Sequence, residues 1–111
     1  MATYSGEIEK YFVNIISPQT SSGSLITLRG EFGRAVLKFL PEGATLPDNR
    51  KHDTADHFDI YYPRDHWAPI IDILRNEKPI YFQFTTPSGH TQIMTSMEPV
   101  GEEESVEGNS D

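Results

Sequence analysis

Apolar and polar positions alternate with a period of two along most of this chain, the signature of half-buried strands rather than helices. In KYFVNIIS, residues 10–17, Tyr11, Val13 and Ile15 share one face, and Phe12, Asn14 and Ile16 the other. PQTSSG, residues 18–23, is rich in turn formers. In SLITLRGEFGRAVLKFLPEG, Ile26 and Leu28 alternate with Thr27 and Arg29, and Ala35, Leu37 and Phe39 with Val36 and Lys38. Gly30 and Gly33 lie between the two runs, where a residue without a Cβ can take positive φ, so the segment reads as a hairpin. Residues 41–55 show no period and carry two prolines and a glycine, which predicts a long loop. HFDIYY, residues 57–62, returns to alternation, with Phe58, Ile60 and Tyr62 inward and Asp59 on the solvent side.

One stretch changes period. Trp67, Ile70, Ile71 and Leu74 recur at helical spacing and form one apolar stripe. Asp65 is a candidate N-cap, and Pro69 suits a first turn, where its missing N–H costs little. Asn76 can end the helix in the left-handed conformation, and Pro79 prevents continuation. PIYFQFTT, residues 79–86, is the clearest strand: Ile80, Phe82 and Phe84 point inward, Tyr81, Gln83 and Thr85 outward. Pro87, Ser88 and Gly89 predict a turn, and residues 90–97 a final strand. The expected fold is α+β, an antiparallel sheet in the order β-β-β-β-α-β-β with one amphipathic helix packed on it.

Composition narrows the classes. The chain has 111 residues and no cysteine, which excludes disulfides, Cys-type zinc sites and thiol catalysis. No apolar run approaches the ~18 residues of a membrane helix, and the N-terminus lacks the pattern of a secretory signal. A cytoplasmic protein is therefore expected. The net charge is −8, but six of the 17 acidic residues lie from Glu98 onward, where there is no Lys or Arg. We expect a single α+β domain over residues 1–100 and a disordered acidic tail over residues 101–111.

The densest candidate chemistry is RKHDTADHFD, residues 50–59, with two histidines and three aspartates. Imidazole and carboxylate suit a transition metal, and a metal-dependent enzyme would draw on His52, Asp53 and His57. The His52-Asp53 pair invites comparison with metal phosphohydrolases of the HD type, but those are all-helical and use further histidines. With Asp53 and Asp56 as turn formers, the stretch is expected to be loop composition, with no metal and no cofactor. Neither a nucleophile in a strained turn nor a glycine-rich loop opening a helix is present, so no catalytic residue is assigned and an enzyme is not expected.

The outward face of the strands carries a different signal. Arg29, Arg34, Lys38, Tyr61 and Tyr81 are outward by alternation. Basic groups interleaved with aromatic rings suit single-stranded nucleic acid, with phosphates on the cations and bases stacked on the rings. Four strands followed by a helix also resemble the β4-α unit of the Whirly and transcriptional-coactivator single-strand DNA-binding fold. Gly33-Arg34-Ala35-Val36-Leu37 is similar to the Gly-Lys-Ala-Ala-Leu part of the Whirly strand motif. Ile73-Leu74-Arg75-Asn76-Glu77-Lys78-Pro79 and Glu98-Pro99-Val100-Gly101-Glu102 look like segments of small uncharacterised cyanobacterial proteins given that fold. This chain departs from the Whirly pattern by Val36, by a single basic residue in the motif and by the hairpin after the helix. The resemblance implies a homodimer and single-stranded DNA binding. The expected function is thus a small non-catalytic binding module for single-stranded nucleic acid. The alternative is a protein-interaction or assembly module that uses the same sheet or the Trp67 helix.

Overall fold

The structure, a computed structural model, describes residues 1–17, 24–97 and 99. The turn expected at 18–23 and the tail from 101 lie outside the described residues. Seven strands form one sheet: β1 (Ala2–Asn14), β2 (Ser24–Gly30), β3 (Gly33–Leu40), β4 (Arg50–Lys51), β5 (His57–Pro63), β6 (Ile80–Thr86) and β7 (His90–Thr95). Between β5 and β6 run a 3-10 turn, Arg64–His66, and the helix α1, Trp67–Asn76. The protein is a mostly-sheet domain with one short helix.

The sheet order is β4-β5-β3-β2-β1-β6-β7. It is mixed, not purely antiparallel as expected: β3 and β5 run parallel, from Arg34 opposite His57 to Leu40 opposite Pro63. The reason lies in residues 41–49, which lead the chain back along the sheet before β4 pairs with β5. Read as one loop, that stretch concealed both the two-residue strand β4 and the crossover.

β1 also begins earlier than the periodicity suggested. Its first half, Ala2–Glu7, pairs with β6, and its second half, Ile8–Asn14, pairs with β2. A register shift between Ile8 and Lys10 separates the halves, and such bulges bend a strand. Gly30 sits at this bend because a Cβ there would lie 2.1 Å from the Glu7 carbonyl oxygen. Close approach, not positive φ, requires that glycine; of the two hairpin glycines only Gly33 has positive φ, at 114°.

The bend curls the sheet into a half-barrel. Tyr4 of β1 reaches Phe58 of β5, ring centroids 5.7 Å apart, although β2 and β3 lie between them in the sheet. Asn49, just before β4, donates to the Gly89 carbonyl in the β6–β7 turn at 3.1 Å. The concave side holds the core. Phe58, Phe82 and Phe84 are buried there with Ile26, Leu28, Leu37 and Ile60, and Phe58 lies 5.3 Å from Phe82 and 5.0 Å from Phe84. Burying an aromatic or aliphatic side chain of this size stabilises by about 1.5–3 kcal/mol, so these side chains dominate the fold.

The helix closes one end of the curl. Ile70 and Leu74 are buried, Ile71 packs against the core, and Trp67 meets Phe39 edge-on at 4.9 Å. Its ends differ from expectation. Asp65 falls inside the 3-10 turn and makes no capping hydrogen bond, while Pro69 occupies the first turn as expected. Asn76 stays helical with its amide donating to Asp72 at 2.8 Å, and the chain leaves through an extended Glu77. Among the described residues no non-glycine residue adopts positive φ.

Candidate functional site

β5 carries opposite chemistry on its two faces. Phe58 and Ile60 enter the core, and His57, Asp59 and Tyr61 point to the convex side. The register brings neighbours into rows on that side. His57 lies beside Arg34, Arg34 beside Arg29, and Arg29 beside Lys10. The next row runs from Arg50 through Asp59, Val36 and Thr27 to Phe12. The third holds Tyr61, Lys38, Leu25 and Asn14.

Asp59 is the centre of a polar network. Only 9% of it is exposed, contrary to the expected solvent-facing position. Neighbouring side chains cover it rather than leaving it to water. His52 Nε2 donates to Oδ2 at 3.0 Å, His57 Nε2 donates to Oδ1 at 3.2 Å, and Lys38 Nζ stands 3.6 Å from Oδ1. Burial by itself raises the Asp59 pKa, but the hydrogen bonds from His52 and His57 and the charge of Lys38 outweigh it. The carboxyl therefore lies below its ordinary value.

The β4–β5 hairpin builds this convergence. The His52 N–H donates to the His57 carbonyl at 2.9 Å, which sets the two histidines opposite each other, their rings 4.3 Å apart. Lys51 Nζ bonds the carbonyls of His52 and Ala55 at 3.0 and 3.1 Å, fastening the turn between them. The Arg34 N–H donates to the Asp56 carbonyl at 3.0 Å, tying the turn to β3. The expectation that this stretch is loop composition is thereby corrected: His52, His57 and Asp59 meet, while Asp53 stays exposed in the turn. Periodicity places Asp59 on a strand, but a hairpin closing across four residues leaves no period to read.

Arg34 decides the tautomer of His57. Its Nε and Nη2 approach Nδ1 at 3.0 and 2.8 Å, so Nδ1 accepts and Nε2 carries the proton given to Asp59. Burial, then the charge of Arg34, holds the His57 pKa below its ordinary value despite the nearby carboxylate.

Of the five residues expected to meet nucleic acid, Arg29, Arg34, Lys38 and Tyr61 share the convex face of β2, β3 and β5. Arg29 and Arg34 are exposed. Lys38 is partly engaged by Asp59 and lies over the Tyr61 ring, 5.4 Å from its centroid. Tyr81 lies apart, across β1 on β6, opposite Glu7 and Met94. Two residues were missed. Lys10 extends the basic row, and Phe12, 64% exposed, provides a free ring on the same face. Both follow from pairing β1 with β2 in register, which alternation within β1 alone does not provide.

Among the described residues no helix is long and apolar enough to cross a membrane. No family model matches this chain, and no curated protein or solved structure is significantly similar to it, so the reading of its role rests on the geometry of this face.

Proposed function

We propose that the convex face of β1, β2, β3 and β5 binds single-stranded nucleic acid without catalysis. The observation that carries this reading is the row Lys10–Arg29–Arg34, three cations on consecutive strands in direct register. Neighbouring strands lie about 4.8 Å apart, so the row sets three cations in one line across the sheet, a track that a phosphate backbone can follow. Phe12 and Tyr61 flank it as stacking surfaces, and Lys38 and Arg50 add charge to the adjoining rows. Tyr81 belongs to a separate wing, opposite Glu7, and is left out. The ligand class is the one that the Whirly resemblance implies, and the cations form a local patch on a chain of net charge −8.

Fluorescence anisotropy of a labelled oligothymidine, measured against salt, tests this. Three phosphate contacts correspond to a log–log salt slope of about −2 on a single strand. Removing residues 101–111, which are acidic, should tighten binding. No anisotropy change at low salt, with or without those residues, would falsify the proposal.

A second reading, as an assembly module, draws on the edge of β1. Lys10–Asn14 pairs with β2 on one side only among the described strands, and Tyr11, Phe12 and Ile15 there are 40, 64 and 73% exposed. An open edge with apolar side chains is a template for pairing with another chain, and a homodimer built there would cover Phe12. Sedimentation of the full chain separates the readings. A dimer that Phe12→Glu dissolves, with no oligonucleotide binding, selects assembly.

A further inference from the structure

The sheet-face reading leaves His52, His57 and Asp59 unused, although their ligand atoms all lie within 4.8 Å of one another. We infer that these three side chains are ligands of one divalent transition metal ion of the zinc class. Zinc at ~2.0–2.2 Å from nitrogen and oxygen in tetrahedral geometry sets its ligand atoms about 3.3 Å apart. Here His52 Nε2 and His57 Nε2 stand 3.0 and 3.2 Å from the two Asp59 oxygens, and the three residues offer ligand atoms all within 4.8 Å of one another. His57 and Asp59 are two apart on one strand and so share a face, and the hairpin brings His52 opposite. Two imidazoles and a carboxylate suit zinc, iron, nickel or copper and disfavour magnesium and calcium, which take oxygen.

Three protein ligands leave a fourth position. It opens toward His52, whose side chain is 42% exposed while those of His57 and Asp59 are 16 and 12% exposed. Arg34 opposes loading. Nδ1 of His57 accepts from Arg34, so the proton sits on Nε2, where the ion would bind. On binding, that proton moves to Nδ1, which then no longer accepts, and the proton that His52 Nε2 gives to Asp59 moves likewise to the Nδ1 of its own ring. Arg34 is exposed and swings free, and no group is oxidised or reduced. Arg34 and Lys38, both cationic, lower the affinity for a dication and favour an anion as the fourth ligand.

Cobalt(II) titration of the full chain is the test, because tetrahedral cobalt absorbs visible light and needs no assumed activity. The band should saturate at a single equivalent and disappear on adding zinc. His52→Ala and Asp59→Asn should each weaken binding at least tenfold, and Arg34→Ala should tighten it. His52 is half-exposed, so its substitution leaves the fold intact, which circular dichroism checks. Binding that never saturates at a single equivalent, or that His52→Ala leaves unchanged, overturns the assignment and places the ion on other acidic groups or on His66 and His90.

Discussion

The two faces of β5 are built from alternate residues of one heptad-length strand, yet they respond to different forces. Phe58 and Ile60, fully buried, are held by apolar burial and ring packing that pH and salt barely touch. His57 and Asp59 are held by each other and by three neighbouring polar groups, Arg34, His52 and Lys38, whose worth depends on which protons are present. The inner face therefore sets how stable the protein is. The outer face sets under which conditions it keeps its shape, and what it can hold. A substitution on one face should leave the other face's signature intact.

The largest effect is expected inside. Phe58→Ala removes a ring that touches Tyr4, Phe32, Phe82 and Phe84, and should cost about 3–5 kcal/mol in urea unfolding. If it cost less than 1 kcal/mol, the core would not be where the rings are. Asp59→Ala comes next, at about 1–3 kcal/mol at neutral pH, because His57 and Lys38 lose the carboxylate they share. A neutral result would mean that water replaces that carboxylate without loss.

Acid should weaken the outer face in two stages. The folded chain holds both His57 and Asp59 below their ordinary pKa values. In both cases the unfolded chain takes up protons first, so stability is full above the unfolded pKa and falls as pH drops through the folded one. Denaturation midpoints followed from pH 8 to pH 3 should decline below about 6.5 and again below about 4. His57→Gln should abolish the upper decline alone, and a profile flat from pH 8 to pH 5 in the unaltered chain would contradict the arrangement at His57.

The smallest effect on stability, and the sharpest test of the division, is Arg29→Ala. An exposed cation away from the network should change stability by less than about 0.5 kcal/mol. The same change should weaken oligonucleotide binding and reduce the salt slope by about 0.7. If stability fell and binding held, Arg29 would belong to the structure and not to the interface.

Much of this division is legible in the alternation itself. Ile26, Leu28, Ala35, Leu37, Ile60, Phe82 and Phe84 are inward by period two and are buried. The helix stripe is likewise a local property, and Ile70 and Leu74 follow it. What period two leaves out is pairing. Nothing local to residues 2–9 says that they bridge two wings, and nothing local to 41–56 distinguishes a loop from a crossover carrying β4. For the same reason Asp59 reads as solvated: its cover comes from Lys38 on another strand and His52 across a turn. Lys10 and Phe12 join the face only once β1 is set against β2, and Tyr81 leaves it for the matching reason.

The division of β1 between two partners has a kinetic consequence. Its second half meets β2 within a short stretch of chain, but its first half must wait for residues as distant as Thr86, which pairs with Ala2. During synthesis at ~5–20 residues per second, the opening strand emerges seconds before its neighbour exists, with both hydrogen-bonding edges bare. Contacts spanning nearly the whole chain also slow folding, into the range of milliseconds to seconds for sheet-rich domains. The seam that curls the sheet thus depends on contacts between distant parts of the chain, and the first half of β1 is open to mispairing until β6 reaches it.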